Sequence, residues 1–155
     1  MTVSLGISQD HLEKIADIIK ETLSDTVILS LKTKGFHWNV TGSDFWQLHD
    51  MFDEQHAELG EGADKLAERI RALGKRAPGS FDEFNRFTKI KECEDPLTAE
   101  KMVKELLNDH EAIVQRIRLH ITALEITKDY ETIDMLTERL FAHGKFTWAL
   151  RSYLI

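Results

Sequence analysis

The stretch HWNVTGSDFWQLHDMFDEQHAELGEGADKLAE, residues 37–68, decides the fold. It carries two pairs of candidate metal ligands, His49 with Asp53 and Asp64 with Glu68, each spaced i,i+4. At about 3.6 residues per turn, the members of each pair leave one face of a helix one turn apart. Residues 43 to 73 fit on one helix. With His49 at zero and a step of about 100° per residue, Asp53 falls near ~40°, Asp64 near ~60° and Glu68 near ~100°. Phe45, Leu48, Phe52, Leu59, Ala63, Leu66, Ile70 and Leu73 fall between about −40° and −120°. The ligand stripe therefore borders the apolar stripe, whereas charges on a solvated face more often lie across from the core.

The helical rise constrains how those pairs are used. Asp53 and Asp64 are eleven residues apart, or about 16 Å along a helix. No single ion touches both, because oxygen and nitrogen ligands sit about 2.0–2.6 Å from a metal. Either the pairs are unrelated, or two copies of this helix pack antiparallel about a two-fold axis. In the second arrangement Asp53 of one chain meets Asp64 and Glu68 of the other, and symmetry produces two equal sites. The axis then passes near residues 58 to 61. Gly60 and Gly62 lie there, and close backbone approach would explain two glycines that each cost a helix about 1 kcal/mol.

Composition sets the outer bounds. At 155 residues a single domain, 1–155, with a sizeable core is expected. No apolar run approaches the ~18 residues that span a bilayer, so no membrane segment is expected. The N-terminus lacks a basic region followed by an apolar stretch, and no signal peptide is expected. Cys93 is the only cysteine and has no internal disulfide partner, which fits a reducing cytoplasm. The net charge of −7 argues against general nucleic-acid binding, which needs basic groups to displace counterions. It suits a protein that concentrates cations.

The rest of the chain reads as helices. Residues 8 to about 38 carry Leu12, Ile15, Ile19, Leu23, Val27 and Leu31 at helical spacing, with Ser8 as N-cap. Gly35 thins the last turn before Phe36-His37-Trp38. Thr41-Gly42-Ser43 reads as a turn, with Ser43 capping a second helix that runs to about Leu73 and stops at Gly74. Phe81, Phe84 and Phe87 recur every three residues within a long connection, so a short helix is expected there. A third helix follows Pro96 and Thr98 to about residue 126, and a fourth runs from about Tyr130 to Tyr153. The whole predicts an all-α four-helix bundle whose second and third helices are joined by a crossover carrying a short helix.

The run His37-Trp38-Asn39-Val40-x-Gly42-x-x-Phe45-x-x-Leu48-His49-x-x-Phe52-Asp53, followed by Asp64-x-x-Ala67-Glu68-Arg69, resembles the Dps family, the small ferritins named for DNA protection in starved cells. The resemblance covers the chain in length and helix layout, with its distinctive motifs confined to residues 37 to 69. It implies a ferritin-like bundle assembling as a hollow twelve-subunit homo-oligomer. It implies an iron site shared between two chains, with His37, His49 and Asp53 from one and Asp64 and Glu68 from its mate. It implies a ferroxidase that oxidises Fe(II) with hydrogen peroxide, or more slowly with oxygen, stores Fe(III) mineral and protects against oxidative stress. Trp38 matches the family tryptophan beside the iron, an oxidisable ring as well as a packing residue. The alternative reading is a DNA-condensing protein with secondary iron binding, in the cytoplasm and at the nucleoid.

Each feature also has an ordinary reading. Either i,i+4 pair taken alone is ordinary surface hydrogen bonding. Imidazole mixed with hard carboxylate suits iron or a similar divalent ion, and carboxylates crowded beside a core are relieved by a cation. Asp53 and His56 form Asp-x-x-His, close to the Glu-x-x-His of intrachain di-iron bundles, but the chain has no Glu-x-x-His. His110, His120 and His143 read as surface or core hydrogen-bonding groups, and Cys93 as an inert loop thiol. Glu131, Asp134 and Glu138 share one face near the start of the fourth helix, as dipole-complementing acids or, by resemblance, as an acidic pore on a three-fold axis. Asp134 aligns with a family pore acid, while Tyr130 stands where many members have another. Residues 69 to 91 hold seven Lys or Arg against Asp82 and Glu83, a solvated rim or an anion contact. Residues 1 to 13 carry no Lys or Arg, so weak or absent DNA binding is expected.

Overall fold

Ser8 opens the first helix, accepting a hydrogen bond on its hydroxyl from His11 N at 3.3 Å. Helix α1 then runs without a break from Gln9 to Asn39. The computed structural model describes residues 3–94 and 97–155, so the reading of Pro96 as helix punctuation lies outside the described residues. Helix α2 spans Phe45–Ala72, α3 Phe81–Phe87, α4 Ala99–Leu124 and α5 Tyr130–Tyr153. A short 3-10 turn, Glu125–Thr127, joins α4 to α5. Among the described residues there is no strand, and none of the helices is long and apolar enough to cross a membrane.

The expected helix ends are met with two corrections. Gly74 adopts φ +77°. Its N–H reaches Arg71 O at 2.9 Å and that of Lys75 reaches Ile70 O at 3.1 Å, the pattern that closes a helix on a left-handed residue. Ser43 does not cap α2. Asp44 occupies that position without a side-chain cap, because its carboxylate accepts instead from Tyr153 Oη at 2.9 Å. The third long helix stops at Leu124 rather than 126, where the chain tightens into the 3-10 turn and Lys128 takes φ 55°.

Packing follows the apolar stripes. Leu48, Phe52, Leu59, Leu66 and Ile70 of α2, with Leu73 just past its end, are buried against Leu12, Ile15, Ile19, Ile28 and Leu29 of α1 and Leu106, Ile113, Ile117 and Leu136 of α4 and α5. Ion pairs set the directions. Lys32 of α1 reaches Asp109 at 2.6 Å and Glu105 at 3.1 Å, while Asp25 reaches Arg116 at 2.6 Å, so α1 and α4 run antiparallel. α1 is antiparallel to α2 as well, so α2 and α4 are parallel and need the crossover. Asp25, buried, fixes that crossover by accepting from Thr88 Oγ1 at 2.8 Å and Lys89 N at 2.6 Å.

Gly62 has a different role from the one expected. A Cβ there would collide with the guanidinium of Arg139, which pairs with Glu58 in the same chain. The space serves α5, not a neighbouring copy. At Gly60 a Cβ would meet nothing within 4 Å in the chain.

Candidate metal centre

The centre begins where the end of α1 lies against the start of α2. His37 donates from Nδ1 to His49 O at 2.8 Å, and His49 donates from Nδ1 to His37 O at 2.9 Å. A carbonyl oxygen only accepts, so each neutral ring carries its proton on Nδ1 and keeps a lone pair at Nε2. The rings stack with centroids 3.8 Å apart at 19°. Histidines whose second nitrogen is tied to a carbonyl are typical metal ligands, because the tether fixes tautomer and ring direction. Phe45 stacks on His49 at 5.0 Å, and Trp46 stands edge-on to it at 6.4 Å and 90°. Trp38 is exposed at 63% and Trp46 at 73% in the single chain.

Asp53 lies one turn along α2, with Oδ1 3.9 Å from His37 Nε2. Lys34 Nζ meets the same oxygen at 2.7 Å. That hydrogen bond, with the charge of Lys34 behind it, holds the Asp53 carboxyl below its ordinary range despite some desolvation. No sequence motif singles out Lys34. Its signal was its position, three residues before His37 on the face that meets α2.

Asp64 and Glu68 occupy the far half of the same α2 stripe, exposed and without an ion pair to another described residue. The structure thus sets His37 against His49 and 3.9 Å from Asp53, and leaves Asp64 about 16 Å and Glu68 about 22 Å along the helix from Asp53. Among the described residues of one chain, no group of three His, Cys, Asp or Glu side chains is placed to hold a metal. Each chain presents two separate ligand groups.

The interior of the bundle is occupied differently. His110 donates from Nε2 to Gln55 Oε1 at 3.2 Å and accepts at Nδ1 from His143 Nδ1 at 2.7 Å, all three being fully buried. Burial pushes His110 down to about 3 and His143 well below its usual value, so both are neutral at neutral pH. His120 contacts Thr22 at 3.3 Å and Glu21 at 3.3 Å between α1 and α4.

The acids near the start of α5 are not equivalent. Arg69 pairs with Asp129 at 2.7 Å and Glu131 at 3.0 Å, and Lys65 reaches Glu138 at 3.5 Å. Asp134 is exposed without such a pair among the described residues and lines a shallow depression with Tyr130, Ile133 and Thr137. In the basic 69–91 segment, Arg69, Lys75 and Arg76 are each paired with carboxylates of the chain.

Comparison with known proteins agrees with this layout. The model of the ferritin-like domain family matches residues 16–155. A low temperature-induced protein of Nostoc sp. is 32% identical over 154 residues, covering 98% of this chain and 86% of the relative. A DNA protection during starvation protein of Bacillus anthracis is 28% identical over 142 residues, covering 92% and 97%. A solved Dps structure from Vibrio cholerae, described as belonging to the ferritin-like diiron-carboxylate proteins, superposes with a TM-score of 0.93 at 26% identity, covering 100% and 98% of the two chains.

Proposed function

Because the chain belongs to the ferritin-like domain family and, within it, to the Dps proteins, we propose that it is an iron-storing ferroxidase of the cytoplasm whose oxidation site is completed by two chains. The observation that carries this is the pair of carbonyl-tethered histidines, His37 and His49, each keeping an Nε2 lone pair, that of His37 lying 3.9 Å from Asp53. The Nδ1 tethers organise the nitrogen ligands in advance, and a partner's Asp64 and Glu68 would add the carboxylates that a hard divalent ion requires. Fe(II) is the substrate. Two Fe(II) ions supply the two electrons that convert one hydrogen peroxide, with two protons, to two waters, and no hydroxyl radical leaves the site. Oxygen is the slower oxidant, and Fe(III) mineral collects inside a twelve-subunit shell. Trp38 is the ring that donates an electron when only one iron is present. Asp134 serves the cation entry, while Glu131 and Glu138 contribute less because Arg69 and Lys65 already engage them.

DNA condensation is the weaker reading. The net charge is −7, and three of the seven cations in the basic segment are already paired within the chain. No retardation of DNA at neutral pH and physiological salt is expected, and a salt-sensitive shift would revive that reading. The decisive experiment loads iron-free protein with Fe(II) without oxygen, adds hydrogen peroxide, and counts the iron retained per shell after gel filtration. The parent should hold many soluble irons. Asp64→Ala/Glu68→Ala should oxidise slowly or precipitate iron, and equal behaviour would remove these carboxylates from the oxidation site.

A further inference from the structure

Trp46 stands beside His49 without cover. Its indole meets Phe45 at 5.2 Å and 67° and His49 at 6.4 Å and 90°, yet it stays 73% exposed in the single chain. A large aromatic ring left in water beside ligand residues marks a contact surface. Arg71, at the other end of α2, is exposed as well. Its Nη1 donates to Lys75 O at 2.8 Å, and its guanidinium pairs with no carboxylate among the described residues. Arg69, two residues before it, is engaged by Asp129 and Glu131.

Both residues belong to one symmetric series on α2. Ala57 and Gly60 are equidistant from the midpoint between Glu58 and Leu59, and so are Asp53 and Asp64, His49 and Glu68, and Trp46 and Arg71. At about 100° per residue with His49 at zero, Trp46, Asp53, Asp64 and Arg71 all fall between ~40° and ~60°, along one line. An antiparallel copy turned about that midpoint sets the two members of each pair against one another. The side chains lengthen outward, from Ala and Gly through Asp to His and Glu and then Trp and Arg. Packed helices cross at an angle, so the gap between them widens away from the crossing. A face that docks on its own copy needs this gradient, and a solvated face gives no reason for it. The centre is open, since a Cβ on Gly60 would meet nothing within 4 Å in the chain.

We propose that the partner's Arg71 stacks on Trp46 and closes the outer end of the site that two chains share. This rests on the shared-site reading, in which Asp53 meets the partner's Asp64. A guanidinium over an indole face is a favoured cation–π pair, and the two-fold makes two such clamps per dimer. The indole already stands edge-on to His49. The clamp therefore steadies that ligand from outside, and Trp46 and Arg71 are positioning residues.

Cross-linking tests the register. The assembled Trp46→Cys/Arg71→Cys variant, in a Cys93→Ser background, is treated with a short bis-maleimide, run on a denaturing gel and mapped by mass spectrometry. The two positions lie about 38 Å apart along one α2, so a link between them joins two chains. Linked dimers should dominate, and neither single variant should link. Asp53→Cys/Asp64→Cys reports the shared site separately. If that pair links and the 46/71 pair does not, the clamp is wrong while the shared site stands. If neither pair links, both fall. Stacking is read in a Trp38→Phe/Trp148→Phe protein, where Trp46 is the one tryptophan left. There Arg71→Ala should raise acrylamide quenching of the Trp46 emission by about twofold, as the cation leaves the ring. Unchanged quenching would overturn the stack even if the chains cross-link.

Discussion

At the scale of single residues, Lys34 and Trp38 make the sharpest claims. Lys34 Nζ competes with any metal for Asp53 Oδ1, since both seek the same oxygen. Lys34→Met should therefore tighten Co(II) or Fe(II) binding at neutral pH several-fold. The same change should raise the Asp53 carboxyl toward its ordinary range, because the hydrogen bond that lowers it is gone. Calorimetric titrations at neutral pH read the binding and carboxyl NMR shifts in the acid range read the carboxyl, and unchanged or weaker binding in the variant would show that the ammonium does not guard the site. Trp38→Phe should leave peroxide-driven iron oxidation within about twofold of the parent while increasing hydroxyl radical captured by a spin trap. Equal trapping would reduce Trp38 to a packing residue.

At the scale of elements, the two glycines of α2 separate cleanly. An alanine at either position favours the helix by about 1 kcal/mol. At Gly60 nothing in the chain opposes that gain, so Gly60→Ala should stabilise the folded chain by up to about 1 kcal/mol. At Gly62 the new methyl displaces Arg139, which is 4% exposed, from Glu58. Breaking a buried ion pair costs about 3–5 kcal/mol, and this pair falls at or below the low end because Glu58 is a third exposed, so Gly62→Ala should lose about 2 kcal/mol net. Urea unfolding of both variants decides the matter, and equal stabilities would mean that Arg139 moves aside at no cost. The contrast also marks Gly60 as the glycine that a close two-fold neighbour would require.

At the scale of the whole molecule, the neutral His110–His143 pair couples stability to pH. Both titrate far below 6.5 in the folded bundle because burial disfavours the imidazolium. The unfolded chain takes up protons near pH 6.5 that the folded chain refuses. This contribution to stability is present above that pH and drains away as pH falls toward about 3, by about 1.4 kcal/mol per pH unit for each histidine. Denaturant midpoints measured from pH 7 to 5 should fall. The fall should flatten in a His110→Phe/His143→Leu double variant, which also removes the buried His143 Nε2 left without a partner. An unchanged slope would assign the acid sensitivity to groups other than this pair and other than Asp109, which burial raises despite Lys32 and which therefore favours the folded chain as pH falls.

The sequence by itself determined the elements and the ligand inventory. Helical periodicity, Ser8, Gly74 and the phenylalanine triplet are local signals, because a helix hydrogen-bonds within a few residues of itself. The spacing of His49, Asp53, Asp64 and Glu68 is equally local, so their common stripe was legible before any coordinates. What only the tertiary structure decided lies across helices. The tautomers of His37 and His49 depend on carbonyls twelve residues away, and the Lys34–Asp53 contact spans nineteen. The hydrogen bond between Ser30 and His56 spans 26. Gly62 finds its reason in Arg139, and Asp44 is drawn from capping by Tyr153, 109 residues on. These pairings join residues of unlike type at separations that no period encodes. They are fixed by the register in which the apolar stripes of α1, α2 and α5 interlock, and that register is a property of packing rather than of any one segment.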